Sequence, residues 1–326
     1  MSGLLNIALV GAGSMGRNHA RTISESSATR LAVVVDPFPD AGRAVADAHG
    51  SSWAPDLDSV SGVDAVVIAA STEYHYDIAL QVAHLGLPML IEKPVTPSLE
   101  QTEEIVALTA AKGLPLMCGF LERYNPAVLA AARLIEDPLY VRADRHSPYA
   151  PRIRTGVGWD LLVHDVDLIA RLVGEPTESD RITASLGYFH PSSLPGAEDV
   201  GEISFQYASG PIASASASRI GQRKTRSISV QMLERAVEID LLRRSVTAYR
   251  RSFVEATEAG GFRQSLEMEV PEVDGAEPLA AQLARFVRIV SGVEDMDAER
   301  RSILPPHRIL AAALSSSQPA NAVLGA

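Results

Sequence analysis

Lys93, Asp160 and His164 are the residues best suited by type and spacing to move a proton or polarise a hydroxyl. Lys93 stands in Glu92-Lys93-Pro94, directly after the apolar run Met89–Ile91. It reads either as a surface lysine in a turn or as a cation at the carboxyl end of a strand, where open α/β sheets bind ligands. Asp160, His164 and Asp167 are spaced i, i+4 and i+7, which places them on one helix face. Leu161, Leu162, Val163, Val166, Leu168 and Ile169 surround them. A polar stripe in so apolar a helix needs partners or a task, because burying an unpaired polar group is costly. Three readings are open. The histidine can shuttle a proton near neutral pH, with a carboxylate fixing its tautomer. A capping aspartate beside a satisfied histidine would be structural only. The same side chains are also metal-ligand types. The sequence offers no second cluster of histidine or cysteine, so we assign no metal.

Gly11-Ala12-Gly13-Ser14-Met15-Gly16 is a G-x-G-x-x-G run. It follows a candidate strand at Ile7–Val10 and opens a candidate helix at 14–26, the context that makes the run informative. Gly11 suits the tight turn, Gly13 lets backbone approach a pyrophosphate, and Gly16 lets helix and sheet pack closely. Ser14 and Met15 then lie at the helix N-terminus, whose free N–H groups and positive dipole end attract phosphate. Asp36 ends the next candidate strand, 20 residues after Gly16, where a carboxylate takes the adenosine ribose hydroxyls. It would repel a 2′-phosphate, and the nearest cation, Arg43, is seven residues on. The expected cofactor is therefore NAD, ahead of NADP.

These groups need a frame. Apolar runs at Ile7–Val10, Leu31–Val35, Ala65–Ala70, Met89–Ile91 and Leu116–Cys118 alternate with helical patterns near 14–26, 39–48, 74–85 and 98–112. That order predicts α/β structure: a doubly wound parallel sheet of Rossmann type over residues 1–121. Ser98 with Gln101 predicts the N-cap of the last helix. Beyond 121 the texture changes. A short helix opens at Asn125-Pro126, a strand follows at Leu139–Asp144, and a helix fills Asp160–Val173, ending at Gly174. From 181 to 250 apolar and polar residues alternate, and helices near 277–292 and 306–317 close the chain. The second domain, 122–326, is expected to be α+β with one large, mostly antiparallel sheet.

Composition narrows the class. The 326 residues are 46% apolar and 21% charged with a net charge of −11, a globular profile without the basic footprint of a nucleic-acid binder. Cys118 is the one cysteine, so no internal disulfide forms and a reducing, cytoplasmic setting is expected. The start of the chain lacks signal-peptide architecture, and the apolar runs are too short for a bilayer. Arg219, Arg223, Lys224 and Arg226 form a basic cluster. It reads as a solvated strand edge, with a phosphate-facing patch as the alternative.

Taken in order, the glycine-rich turn, the Glu-Lys-Pro after a strand and the Asp-x-x-x-His helix resemble the glucose–fructose oxidoreductase/inositol dehydrogenase (Gfo/Idh/MocA) family over essentially the whole chain. Gly119-Phe120-Leu121-Glu122-Arg123-Tyr124-Asn125-Pro126 and Asp160–Asp167 are similar to its sugar and nucleotide-sugar 3-dehydrogenase branch. The resemblance implies NAD-dependent oxidation of a secondary hydroxyl, C3 favoured, of a sugar, nucleotide sugar or aminoglycoside. An inositol or other polyol dehydrogenase is the alternative, and a non-catalytic cofactor sensor on the same fold the rival. It also implies roles: Lys93 orients the reacting hydroxyl, His164 is the acid/base and Asp160 positions substrate or Lys93. Ser71, Thr72, His75, Glu92 and Lys93 would line the nicotinamide ribose, and Pro94 would follow a cis peptide. Tyr124, Tyr149, Arg152 and Trp159 are candidates to line the sugar pocket. Trp159 stands where the family carries a smaller residue. The partner is thus a small carbohydrate, with neither nucleic acid nor membrane, and the protein is expected to be a homodimer or homotetramer through its large sheet.

Overall fold

The structure, a computed structural model, describes residues 3–150, 154–256, 262–275 and 277–319. The chain groups into two units, Met1–Leu121 with Glu277–Arg308, and Glu122–Ala276 with Ile309–Ala326.

The first unit is built on strands β1 (Leu5–Val10), β2 (Thr29–Val35), β3 (Ser52–Ala54), β4 (Ala65–Ile68), β5 (Met89–Ile91) and β6 (Leu116–Cys118). They form one parallel sheet in the order β3-β2-β1-β4-β5-β6. Strands β4, β5 and β6 are buried throughout, as expected where helices cover both faces. Those helices are α1 (Ser14–Glu25), α2 (Pro39–Ala48), α3 (His75–His84) and α4 (Leu99–Ala111). Ser98 Oγ accepts from the Gln101 N–H at 3.3 Å and caps α4. The order reverses between β1 and β4, which makes the carboxyl ends of these strands the ligand side of the sheet. The sequence pattern missed β3, whose three residues are too few to show a period.

The second unit carries a sheet of nine strands among the described residues: β7 (Tyr140–His146), β8 (Arg181–Gly187), β9 (Val200–Gln206), β10 (Ile212–Ser218), β11 (Thr225–Gln231), β12 (Arg235–Asp240), β13 (Ser245–Ala256), β14 (Phe262–Glu269) and the two-residue β15 (Gln318–Pro319). Their order is β14-β13-β12-β11-β7-β10-β9-β8-β15. Pairing is antiparallel except at β7–β10 and β8–β15. One face is buried through Val141, Ala143, Ile203, Phe205, Ala213, Ala215 and Ala217, while Arg142, Glu202 and Ser204 on the other are exposed. Alanines along β10 keep that strand low, so a helix can approach closely. The helices are α5 (Pro126–Ala132) and α6 (Val163–Val173), and α6 packs on β7 and β10. A π-helical turn, Gly158–Leu162, leads into α6; the sequence predicted uninterrupted α-helix there. The sheet also extends past the expected 181–250, from β7 to β14.

The remaining helices are α7 (Pro278–Val290), α8 (Met296–Arg301) and α9 (Leu304–Ser316). Residues 277–308 group with the first unit, whereas the expected second domain ran unbroken from 122 to 326. Leu279, Leu283, Phe286 and Ile289 form a buried stripe on α7, and α7 packs against α1. Arg21 of α1 pairs with Glu277, and Val95 N–H donates to His307 Nε2 at 3.2 Å. Among the described residues no helix is long and apolar enough to cross a membrane.

Candidate functional site

At the glycine-rich turn, Gly11 has φ +101° and a Cβ there would lie 2.7 Å from the Ala69 carbonyl oxygen. A Cβ on Gly16 would meet the Gly11 carbonyl oxygen at 1.9 Å. At Gly13 the same test finds nothing within 4 Å. Gly13 caps α1 without any side-chain bond, and Ser14 and Met15 follow on accessible positions. Space above an uncapped helix N-terminus, reached through backbone alone, fits a dinucleotide pyrophosphate. Asp36 follows β2. Its Oδ2 accepts from Ala12 N–H at 2.7 Å and its Oδ1 from Phe38 N–H at 2.9 Å. The carboxylate therefore holds the glycine turn in shape, and each of its oxygens has a second lone pair beyond the one given to the turn. Arg43 lies over the Trp53 ring, 4.4 Å from its centroid, while Trp53 Nε1 donates to the Asp36 carbonyl at 3.0 Å.

Lys93 follows β5 and is half-buried, and the Lys93–Pro94 peptide is cis. Two interior side chains brace this loop. Glu92 Oε1 sits 2.7 Å from His19 Nε2, and Glu92 Oε2 accepts from Lys93 N–H at 3.3 Å. Burial pushes the Glu92 carboxyl up, but the His19 hydrogen bond and the charges of His19 and Lys93 outweigh it and hold it below its ordinary value. His75 Nδ1 is 2.9 Å from the Pro94 carbonyl oxygen, and its Nε2 is 3.1 Å from that of Ala70. Glu92 is 7% and His75 1% exposed, so both turn their polar atoms to protein partners. Ser71 is exposed and Thr72 half-buried, at the start of the turn that precedes α3.

In the second unit, Asp160 lies in the π-helical turn and His164 in the first turn of α6; both are half-buried. Single π turns inside helices occur often at functional sites. The three-residue polar stripe divides. Asp167 is taken by Arg123, with Nε–Oδ2 2.9 Å and Nη2–Oδ1 2.6 Å. Asp165 is held by Arg145 Nε and Nη2, both at 2.8 Å. Glu122 Oε1 accepts from Arg145 Nη1 at 3.1 Å, and Glu122 Oε2 from Asn125 Nδ2 at 3.0 Å. Thus α6 is riveted by buried ion pairs on its inner side, and Asp160 and His164 are the polar groups kept nearer solvent. Among the described residues no group of three or more His, Cys, Asp or Glu is placed to hold a metal ion.

The other candidates scatter. Trp159 and Tyr124 are half-buried. Tyr149 stacks on His190 with ring centroids 3.5 Å apart. Arg152 lies outside the described residues. The basic cluster divides too. Arg223 and Lys224 are exposed, Arg226 Nη1 lies 3.5 Å from Glu122 Oε1, and Arg219 is buried, 3.9 Å from Asp160. Arg223 and Lys224 are solvated, but in the β10–β11 connection rather than on a strand edge, and Arg219 is not solvated. Sequence reasoning overlooked His19, Arg145, Glu198 and Asp199. A signal existed for Arg145, which shares its strand parity with buried Val141 and Ala143; the others gain their role only through distant partners.

Comparison with known proteins agrees with this geometry. Residues 5–120 match the oxidoreductase family with the NAD-binding Rossmann fold, GFO_IDH_MocA, and residues 129–237 match the GFO/IDH/MocA C-terminal domain. An inositol 2-dehydrogenase of Rhizobium meliloti is 30% identical over 225 residues, 65% of this chain and 68% of that one. The UDP-N-acetylglucosamine 3-dehydrogenase of Acidithiobacillus ferrooxidans is 26% identical over 310 residues, 94% of each chain. Its crystal structure superposes with a TM-score of 0.81 at 24% identity, covering 96% of this chain and 98% of that one. GenD2 from gentamicin A biosynthesis, solved in complex with NAD, superposes with a TM-score of 0.80 at 25% identity over 96% and 94% of the two chains. The chain belongs to the Gfo/Idh/MocA oxidoreductase family, and its first unit is that family's NAD(P)-binding Rossmann domain.

Proposed function

We propose that the protein is an NAD-dependent dehydrogenase of a secondary ring hydroxyl, C3 favoured, on a sugar, nucleotide sugar or aminoglycoside. The observation that carries this reading is the motif pair. Lys93 opens a cis-proline loop at the carboxyl end of β5, and Asp160 and His164 occupy a π-helical turn and the helix it opens, pinned by buried ion pairs. A carbinol C–H bond gives up its hydrogen as hydride only as the hydroxyl proton leaves, so a base must lie within hydrogen-bond reach. Because Nδ1 of His164 is buried, Nε2 is the nitrogen that takes this proton. Lys93 donates a hydrogen bond to the same hydroxyl, and Asp160 orients the substrate or Lys93. When bound, the nicotinamide ring supplies the two-electron hydride acceptor, and the carbinol becomes a ketone. Gly11, Gly13, Ser14, Met15, Gly16 and Asp36 hold the adenosine and pyrophosphate portion. Ser71, Thr72, His75, Glu92 and Lys93 serve the nicotinamide ribose side, His75 and Glu92 from beneath. Tyr124, Tyr149 and Trp159 shape the sugar pocket; Arg152 is a candidate from the sequence alone. Asp36 supports NAD over NADP. We further propose a cytoplasmic homodimer or homotetramer, with the open face of the large sheet covered by another copy.

An inositol or related polyol is the second reading, favoured by the Rhizobium meliloti relative. The test is a turnover screen of sugars, nucleotide sugars, inositols and aminoglycosides with NAD and NADP, following reduced cofactor and locating the new carbonyl by NMR. Activity confined to non-carbohydrate alcohols or ketoacids would overturn the proposal. On the active substrate, Lys93→Ala and His164→Ala should each lower kcat about 10²-fold or more, with NAD affinity little changed.

A further inference from the structure

We infer that Arg219, with Glu198 as its counterpart, is a positioning residue for Asp160 and sets the shape of the segment that delivers it. The inference rests on the proposed role of Asp160. Arg219 directly follows β10, and its N–H donates to the Asp199 carbonyl at 2.8 Å. Its side chain is 5% exposed. Nη2 donates to the Thr155 carbonyl and lies 3.9 Å from Asp160 Oδ2. Its Nε is buried with no hydrogen-bond partner among the described residues.

Two more links run from the β8–β9 connection, which holds Glu198 and Asp199, to the same segment. The Glu198 carbonyl accepts from Val157 N–H at 3.0 Å, and Glu198 Oε1 from Gly158 N–H at 2.7 Å. A Cβ on Gly156 would lie 2.0 Å from Glu198 Oε2, so the carboxylate nests where only glycine leaves room. Asp160 N–H then donates to the Gly156 carbonyl at 3.0 Å. Every residue from Thr155 to Asp160 except Trp159 is thereby held by, or packed on, Arg219, Glu198 or a group they hold.

Burying a guanidinium is costly unless acids surround it. A cation placed only to cap the Thr155 carbonyl would be an expensive cap. At 3.9 Å the contact with Asp160 is an ion pair rather than a hydrogen bond. It orients the carboxylate by charge.

The test uses the full-length protein and a four-member cycle: parent, Arg219→Met, Asp160→Asn and the double variant, with Arg219→Lys as the conservative control. In the parent background Arg219→Met should lower kcat about 10²-fold, the cost of roughly an ångström of misplacement, and Arg219→Lys should recover much of that. In the Asp160→Asn background the same change should cost less than about threefold, because the group it positions has already lost its charge. Equal losses in both backgrounds would overturn the inference and leave Arg219 a structural residue. Amide hydrogen exchange supplies an arm independent of turnover: Arg219→Met should speed exchange at Val157, Gly158 and Asp160 while α3 and α4 keep their rates. Unchanged exchange at those three amides would also overturn it. Failure of the parent to turn over any polyol, or full activity of Asp160→Asn, would instead count against the proposed function, and the exchange result would still decide the role of Arg219.

Discussion

Replacing Asp165 by asparagine probes what fixes the helix beneath the site. Asp165 and Arg145 make two hydrogen bonds of 2.8 Å, and their side chains are 1% and 2% exposed. Burial pulls the Arg145 guanidinium down, but Asp165 and Glu122 together hold it well above its ordinary range. The substitution removes one of its two acids. Glu122 remains, yet it already serves Asn125 and lies 3.5 Å from Arg226. Breaking a buried ion pair costs about 3–5 kcal/mol, because the remaining charge stays in a poor solvent. Asparagine keeps one acceptor oxygen, so the low end applies, about 3 kcal/mol. At about 2–4 °C per kcal/mol for a chain of this kind, Tm should fall by roughly 6–12 °C. The internal control is Glu103→Gln. That residue pairs with Arg308 at 2.8 Å, but the side chains are 42% and 58% exposed, and solvent screening should leave the melt nearly unchanged. Scanning calorimetry on the parent and both variants decides the matter. A drop below about 2 °C for Asp165→Asn, no larger than that of the exposed pair, would refute the claim that buried charge pairing holds α6.

Three further expectations concern the first unit. Asp36→Ala should lower the NAD/NADP ratio of kcat/KM by about 10–100-fold, the worth of charge-assisted hydrogen bonds; an unmutated protein that already prefers NADP would contradict the cofactor assignment. Gly13→Ala should leave Tm unchanged while weakening NAD binding measured by calorimetric titration, whereas Gly16→Ala should lower Tm as well, because its Cβ would strike the Gly11 carbonyl at 1.9 Å. Glu92 has a folded-state value held below that of the unfolded chain. Its contribution to stability is therefore complete above the ordinary carboxylate range and is lost as pH falls through that range and below. The Tm gap between parent and Glu92→Gln should be widest near neutrality and shrink on acidification; a gap independent of pH would show that the pair with His19 carries no net charge effect.

Much of the first unit was legible because its determinants are local. Buried parallel strands read as continuous apolar runs, the glycine-rich turn needs backbone that side chains would block, and Ser98 caps its helix from three residues away. Five of the six strands and all four helices of 1–121 fall where the pattern placed them, and the expected cis peptide at Pro94 is present. The edge strand β14 was not legible: residues 265–269 are all exposed, Leu266 and Met268 among them, so this stretch shows no buried face to betray it. Lys93, Asp160 and His164 stood out in the chain because their chemistry and spacing are sequence properties. Their surroundings did not. One helical period put Asp160, His164 and Asp167 on a common face, but the π-helical turn changes the phase, and Arg123, 44 residues away, claims Asp167. Likewise Arg219 looked like part of an exposed basic cluster until β10 carried it beneath the segment ending in Asp160. Local patterning determines which residues become helix, strand and turn, since those preferences act within a few residues. Which carboxylates are spent on scaffolding and which are kept for chemistry is decided only by tertiary structure. Burying a charge is tolerable only beside an opposite one, and the chain brings that partner from a distance no local pattern records.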